Sequence, residues 1–254
     1  MVNVNKNSAY DVLQGLVEQS FSKNLRNMPE EFNKKQQMAL DLFKQRIFLD
    51  EVIEESIAFN KSLNWENEKK LNVGLTTTAE EMINVFKLRS DIYTFIDYQK
   101  EFPDTITGLN FDRYDKNSAI IFYKENNIVR GTCRLIFDSI GELPTELKAS
   151  FNKHRENHEI CELSRLMISH EKGGLGLEFK NLASAVYNIY KFNDVDLILS
   201  GIRKDHFRLY KKFGGFKIEK EMDGYGKLKI PFIITSWDPS QISPFFKRAF
   251  LNIK

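Results

Sequence analysis

Ionisable side chains occur inside apolar, strand-like segments in the middle of this sequence. Glu162 and Arg165 lie three residues apart within the segment Ile160-Cys-Glu-Leu-Ser-Arg-Leu-Met-Ile168. Desolvating an unpaired ion costs several kcal/mol, so charges in such segments are rarely buried unless they are paired or functional. A carboxylate placed there can take a proton from a nucleophile, and guanidinium groups beside it can orient anions. We therefore predict one cleft, lined by charges, in which a nucleophile such as an amine is activated.

Further charges in the same region complete the set. Asp112 and Asp115 are three residues apart in a loop-like segment. Arg134 follows in the apolar stretch Gly131-Thr-Cys-Arg-Leu-Ile, and Arg89 precedes them in a helical pattern. Arginine forms charge-assisted hydrogen bonds with carboxylates. Ion pairing within the set would therefore hold the loop with the two acids over the cleft.

The elements that carry these residues follow from the hydrophobic pattern. Residues 1–70 are predicted to form a helical N-terminal extension, because apolar side chains recur at three- and four-residue spacing over 12–21 and 30–59. The polar stretch 60–70 marks its boundary. Thr78-Ala-Glu-Glu81 is a capping-box pattern, in which side chains bond the free amide groups of a first turn. It predicts the start of the helix that carries Arg89.

After residue 71, strands and helices alternate in the second half of the chain. An antiparallel hairpin is predicted first, with strands at 119–124 and 129–137. The later elements are a polar, helical excursion at 143–157, a strand at 160–168, a helix at 175–190, a buried strand at 195–200, a short basic helix at 204–213, strands at 216–218 and 228–236, and an amphipathic piece at 244–251. This order favours an α/β (α+β) domain over residues 71–254, with a mixed sheet and helices on both faces.

A Gly-rich turn, His170-Glu-Lys-Gly-Gly-Leu-Gly176, follows the strand that carries Glu162 and precedes a helix. Backbone amides at a helix N-terminus can receive an anion such as a phosphate. The alternative is an ordinary turn without a ligand. A P-loop is excluded because no Gly-Lys-Ser/Thr closes the turn, and a dinucleotide fingerprint is excluded because the strand is not the first of a βαβ unit.

Composition excludes several classes of function. With 37 basic and 35 acidic residues and a net charge of +2, the chain is not the polycation expected of a nucleic-acid-binding protein. No apolar run approaches ~18 residues and no signal-peptide pattern opens the chain, so we predict no transmembrane segment and a cytoplasmic location. Cys133 and Cys161 lie in apolar runs and are predicted to be buried free thiols. His154 and His158 lack a third ligand, so no metal site is predicted.

The order strand, Gly-rich turn, helix, strand and short helix, ending in Tyr210-Lys-Lys-Phe-Gly-Gly-Phe216, resembles the core of the GNAT N-acyltransferases. In that fold two central strands splay apart and pantetheine enters between them. The charged set, in its order along the chain, resembles the acyl-homoserine-lactone synthases and the related N-acyl amino acid synthases. The resemblance covers residues 71–236. It implies an acyl-phosphopantetheine donor, acyl carrier protein (ACP) before acyl-CoA, and no tightly bound cofactor.

The resemblance also implies which residues are functional. The matching positions are Arg89, Asp112, Asp115, Arg134, Glu162 and Arg165. Glu162 is expected to be the general base, because an attacking amine must lose a proton and a desolvated carboxylate has a raised proton affinity. The alternative for Glu162 is a structural ion pair with Arg165 or Arg134. Arg165 is expected to orient the site.

The other roles concern the acceptor and the transition state. Arg89 is expected to meet the acceptor carboxylate in a bidentate fork, or else to lie on a solvated helix face. Asp112 and Asp115 would bind the acceptor ammonium or merely cap a turn. Backbone amides near Met167 and Ile168 would meet the oxyanion, because splayed strands leave such groups unpaired.

Other residues are expected to act on the donor. Tyr210 would protonate the leaving thiolate, or only pack within its helix. The turn would bind the donor phosphate through Lys172, Gly173, Gly174 and Gly176. Because carrier proteins are acidic, a basic cluster is expected to be their docking face, with an ordinary solvated helix as the alternative. Its residues are Arg203, Lys204, Arg208, Lys211 and Lys212.

Two departures from the lactone synthases bear on the acceptor. Residues 95–112 contain no Trp, which those enzymes usually carry near bound adenosylmethionine, and the helical extension is uncharacteristic of them. The predicted reaction is therefore attack of an amino acid's nitrogen on a carrier-bound acyl thioester, which gives an N-acyl amino acid. The alternatives are a lactone synthase that uses S-adenosylmethionine and a non-catalytic module that binds acyl chains.

Overall fold

A computed structural model describes residues 4–6, 8–22, 30–65, 72–137, 143–169 and 176–252. Lys172, Gly173 and Gly174 of the Gly-rich turn lie outside the described residues. The chain forms two compact units, Met1–Val52 and Ile53–Lys254. The division into an extension and a domain at residues 70 and 71 stays a prediction.

Helices dominate the N-terminal part of the chain. Helix α1 spans Tyr10–Ser22 and helix α2 spans Glu30–Ser62, which confirms the two predicted helical segments. Leu13 and Ala39 are fully buried in a small cluster between them. Within the described residues, no helix combines the length and the apolar character needed to cross a bilayer.

Seven strands of the second unit form one sheet in the order β1-β2-β3-β4-β5-β7-β6. The strands are β1 (Val73–Leu75), β2 (Ser118–Glu125), β3 (Ile128–Phe137), β4 (Ile160–Ile168), β5 (Leu197–Arg203), β6 (Phe216–Met222) and β7 (Phe232–Trp237). The α-helices are α3 (Ala79–Phe95), α4 (Asn152–Arg155), α5 (Leu177–Phe192), α6 (Phe207–Tyr210) and α7 (Pro244–Phe246). Short 3-10 helices occur at Arg113–Asn117, Lys204–His206, Lys211–Phe213 and Pro239–Gln241, and a π-helical turn occurs at Lys247–Leu251.

Strands β4 and β5 diverge at the centre of the sheet. They run parallel and pair only from Ile160↔Leu197 to Leu163↔Ser200. Beyond Leu163, β4 continues in contact with β3, as far as the pair Gly131↔Ile168. The other strand pairs of the described sheet are antiparallel. The predicted mixed sheet with splayed central strands is confirmed.

Helices cover both faces of the sheet. Helix α3 contacts β3 and β4, whereas α5 contacts β1, β2 and β3. Successive strand residues point to opposite faces. Cys133 and Cys161 pack in the core beneath α5 as buried free thiols, as predicted, so their neighbours Arg134 and Glu162 point to the α3 face.

The segment 143–157 differs from the predicted helix. It consists of turns and the single short helix α4. Leu143 and Phe151 enter the core on the α3 face, and the carboxylate of Glu146 binds both the Leu143 amide and the Arg155 side chain. These tertiary contacts override the helical propensity of a polar stretch. The basic segment 204–213 is likewise one α-helical turn between two 3-10 turns.

Candidate active site

Asp112 and Asp115 cap one turn. Asp112 precedes the 3-10 helix Arg113–Asn117, and its Oδ1 accepts a hydrogen bond of 2.9 Å from the amide of Tyr114. Asp115 Oδ2 accepts from the amide of Asp112 at 2.8 Å. This reciprocal capping box fixes both carboxylates and leaves oxygens of each for other partners. Both acids therefore serve as turn caps, which was one of the two interpretations.

Arg134 on β3 joins the two acids. Its Nη1 lies 2.6 Å from Asp112 Oδ1 and 3.1 Å from Asp115 Oδ1, and its Nε donates to Ser164 Oγ at 3.0 Å. Burial alone would lower the pKa of the Arg134 guanidinium, but the two carboxylates outweigh burial and raise it. Arg134 therefore stays charged and ties the capped turn to the strands.

Arg165 lies in a β-bulge of β4. The register between β3 and β4 shifts there, and Arg165 has φ 51°, in the left-handed region that residues with a side chain rarely adopt. The bulge turns the guanidinium toward the capped turn, where Nη2 lies 2.7 Å from Asp112 Oδ2 and Nη1 donates to Asn110 Oδ1. Burial would raise the pKa of Asp112, but Arg134 and Arg165 outweigh it and hold that pKa well below its usual range.

Arg89 lies behind this network and not in the cleft. Its side chain is 0% exposed, and Nη1 forms an ion pair of 2.8 Å with Asp115 Oδ1, which is equally buried. Burial lowers the pKa of the guanidinium, although Asp115 opposes this. The prediction that Arg89 contacts an acceptor carboxylate is therefore wrong, because its guanidinium is fully buried and does not line the cavity. The alternative prediction, that Arg89 lies on a solvated helix face, is wrong for the same reason. Asp115 is equally buried, so an acceptor ammonium cannot bind to it.

Glu162 lies at the fork of the sheet, one residue before the last pair of β4 with β5, and is 3% exposed. Its Oε2 accepts two hydrogen bonds of 2.8 Å, from the amide and the hydroxyl of Thr145. Burial raises the pKa of Glu162 to about 7, although the bonds from Thr145 and the charge of Arg134 act against it. Within the described residues Glu162 forms no ion pair with an arginine. A carboxyl group with this pKa is present in both protonation states near neutral pH, as a general base requires.

A cavity of about 480 Å³ joins these groups and is lined at the gap by residues of both β4 and β5. Four of the six expected ionic residues line it, namely Asp112, Arg134, Glu162 and Arg165. Tyr93 and Phe102 line it beside Arg165, whose guanidinium carbon lies 5.5 Å and 5.7 Å from their ring centroids. The cavity therefore presents charges and an aromatic wall to one ligand.

Three further expected residues line the same cavity. Met167 and Ile168 belong to the part of β4 beyond its last pair with β5. Tyr210 lies on the other side of the gap, and burial raises the pKa of its phenol, which therefore remains a proton donor. Their positions suit the expected roles toward an oxyanion and a leaving thiolate, which stay predictions.

Gly176, the described end of the Gly-rich turn, precedes α5 with φ −62°. A Cβ on Gly176 would lie 2.3 Å from Glu178 Oε2. A carboxylate so close to the first turn of α5 repels an anion, so this geometry does not favour a phosphate at Gly176.

The basic cluster divides into paired and unpaired cations. Arg203 binds both carboxylate oxygens of Asp205, at 2.5 Å and 3.1 Å. Lys204 Nζ lies 2.5 Å from Glu221 Oε2. The other three residues of the cluster, Arg208, Lys211 and Lys212, are exposed and form no ion pair with the described residues.

Thr145 and Asn110 hold the site together but were missed in the sequence. Thr145 falls in the segment that was predicted to be helical, and Asn110 falls in an irregular loop. No sequence pattern identifies either residue, because the partners, Glu162 for Thr145 and Arg165 for Asn110, are distant along the chain.

Thr145→Val is expected to raise the pKa of Glu162 above its value of about 7. A hydrogen bond to the ionised form stabilises it, so loss of the bond from the Thr145 hydroxyl favours the protonated carboxyl, although the backbone amide still donates to Glu162. Carbon NMR titration of the Glu162 carboxyl measures the shift. Thr145→Ser keeps the hydroxyl and should titrate like the natural protein; an unchanged pKa in the Val variant would show that the Thr145 hydroxyl does not influence Glu162.

Comparisons with known proteins show the family and the fold of this chain. The family model described as N-acyl amino acid synthase FeeM matches residues 84–238, more than half of the chain. No curated protein is significantly similar in sequence. The structure of FeeM, an N-acyl amino acid synthase from uncultured soil microbes, is 15% identical with a TM-score of 0.50 and covers 70% of this chain and 94% of that chain.

Two acyl-homoserine lactone synthases are similar as well. The synthase LasI is 17% identical, with a TM-score of 0.51 over 71% of this chain and 93% of its own. The CoA-dependent synthase BjaI is 16% identical, with a TM-score of 0.50 over 68% of this chain and 81% of its own. These structures confirm the GNAT-like fold. The chain belongs to the FeeM family of N-acyl amino acid synthases and is thus an N-acyltransferase.

Proposed function

We propose that this protein transfers a fatty acyl chain from the phosphopantetheine of acyl carrier protein to the amino group of a free amino acid. The observation that carries the proposal is Glu162, a buried carboxyl group with a pKa of about 7, at the fork of the two central strands and in the wall of the cavity. A donor thioester threaded through the gap brings its carbonyl carbon next to this base. The products are an N-acyl amino acid and the free carrier thiol.

In this reaction, each of the lining residues that the sequence analysis singled out has one role. The acceptor ammonium is held near Asp112 and gives a proton to Glu162, and the free amine then attacks the thioester carbonyl. Backbone amides near Met167 and Ile168 stabilise the oxyanion. When the intermediate collapses, the carbon–sulfur bond breaks, Tyr210 donates a proton to the thiolate, and the second proton that leaves the nitrogen restores the Tyr210 phenol. Glu162 releases its proton to solvent before the next turnover. Arg134 and Arg165 keep Asp112 ionised and oriented.

The choice of carrier protein as donor is supported by the three unpaired cations, which offer positive charge to an acidic partner. Lys211→Glu with Lys212→Glu is expected to raise KM for acyl carrier protein at least several-fold, because like charges repel at the docking face. KM for a free acyl-pantetheine should not change. Lys87→Glu with Lys153→Glu, at exposed positions on α3 and α4, is the control with the same change in charge. Equal effects of both reversals would refute docking at this face.

The product assay tests the reaction itself. Purified protein is supplied with acyl carrier protein or acyl-CoA carrying the same chain, together with amino acids or S-adenosylmethionine, and the products are identified by mass spectrometry. An N-acyl amino acid formed from the carrier-bound donor supports the proposal. Release of methylthioadenosine would identify a lactone synthase, and tight acyl binding without turnover would identify a binding module. A cytoplasmic location stays a prediction.

A further inference from the structure

A small apolar void lies on the α5 face of the sheet, next to the cavity. It measures about 20 Å³ and shares Leu163, Leu166 and Tyr210 with the cavity wall. Its other lining side chains are apolar or aromatic, and they include Phe213 and Trp237. The charged groups of the site point to the opposite face, so this void offers apolar space beside the gap.

The far wall of the void is supported by the C-terminal segment 244–251. Phe213 is buried, and its ring centroid lies 4.7 Å from that of Phe250 and 5.1 Å from that of Phe246. Phe246 and Phe250 are themselves fully buried and stacked 4.9 Å apart. This segment follows residue 238, where the match to the family model ends.

The segment is held firmly against the residues that precede β6. The amide of Ser243 donates to the carbonyl of Phe213 at 2.7 Å, and Ser243 Oγ donates to the carbonyl of Lys212 at 2.6 Å. Gly214 has φ 83°, and a Cβ there would lie 2.5 Å from the Gln241 carbonyl. The close approach therefore needs glycine at this position.

We propose that the C-terminal aromatic segment, through Phe213, Phe246 and Phe250, closes the acyl-chain path and limits the length of chain that the enzyme accepts. The inference rests on the proposed function. A void of this size has room for about one water-sized group, so only the end of a chain fits. A longer chain must displace rings from a close-packed cluster, which cores resist.

Phe250→Leu is expected to shift the preferred acyl chain to a greater length. For each methylene that the new space buries, kcat/KM should rise about fourfold, which corresponds to ~0.8 kcal/mol per buried CH₂. Phe213→Leu is a second variant at the wall itself. Phe151→Leu is the matched control, because Phe151 is a buried aromatic residue in the core on the α3 face and should leave the preference unchanged.

Trp237 provides a measurement that does not depend on turnover, because it lines the void. In a Trp65→Phe background its fluorescence is titrated with non-hydrolysable acyl-pantetheine thioethers that carry a terminal bromine. Quenching should be strongest at one chain length in the natural sequence and at a longer one in Phe250→Leu.

The outcomes separate the inference from the proposed function. Quenching that follows chain length without amide formation supports the chain path and counts against transfer. Amide formation with unchanged chain preference and unchanged quenching in both wall variants overturns the inference and leaves the proposed function standing.

Discussion

Replacing Glu162 with Gln is expected to lower kcat/KM for amide formation by about 100- to 10,000-fold, the usual contribution of a positioned general base. The amide side chain keeps the size of the group and can still accept hydrogen bonds from Thr145, but it cannot take up the proton of the attacking ammonium. The rate of carrier thiol release with a saturating acyl donor measures the loss. Full activity in this variant would refute the role of Glu162.

Stability is the control that separates chemistry from folding. The folded pKa of Glu162, about 7, lies above the value of ~4.3 expected in the unfolded chain. The stability that the protonated group contributes is present below the unfolded pKa and is lost as the pH rises through 7. At mildly alkaline pH, Glu162→Gln should therefore be at least as stable to urea as the natural protein. A large loss of stability would mean that reduced activity reports misfolding.

Asp115→Asn is expected to destabilise the protein by about 3–5 kcal/mol, because it leaves two buried guanidinium groups without their shared anion. Asp115 Oδ1 is the ion-pair partner of Arg89 at 2.8 Å and of Arg134 at 3.1 Å, and it is 0% exposed. The free energy of unfolding, measured in urea, should show the loss.

An exposed ion pair in the same unit provides the comparison. Lys116 Nζ lies 2.8 Å from Glu55 Oε1, and the Glu55 side chain is 53% exposed. Solvent screens such pairs, so Glu55→Gln should cost less than about 1 kcal/mol. If the two substitutions had similar effects, the buried network would not be the stabilising feature described here.

The strands and the convergence of their charges could be predicted from the sequence, because both depend on local patterns. Glu162 and Arg134 lie within apolar strands, where a buried ion requires a binding partner or has a functional role. The spacing of Asp112 and Asp115 is that of a capping turn, which then presents both acids to β3. The divergence of β4 and β5 was implied by the family resemblance and is confirmed.

The burial of Arg89 could not be predicted in the same way. An arginine on an amphipathic helix is normally solvated, and only the position of Asp115 beneath α3 makes a buried ion pair possible. Thr145 escaped notice because its segment has a polar pattern typical of a helix, whereas the turn is set by contacts with the core and with Glu162. The position of the C-terminal segment depends on contacts between the aromatic rings of Phe213, Phe246 and Phe250, which the spacing of residues in the sequence does not reveal.

The most direct test compares the titration of Glu162 with the pH dependence of the reaction. Carbon NMR of the labelled carboxyl gives its pKa, and the acidic limb of kcat/KM, measured with a saturating acyl donor, gives the pKa of the group that must be ionised. We expect both values near 7, and we expect both to rise together in Thr145→Val. A carboxyl that titrates near its ordinary value, or an acidic limb that does not move with it, would contradict Glu162 as the base.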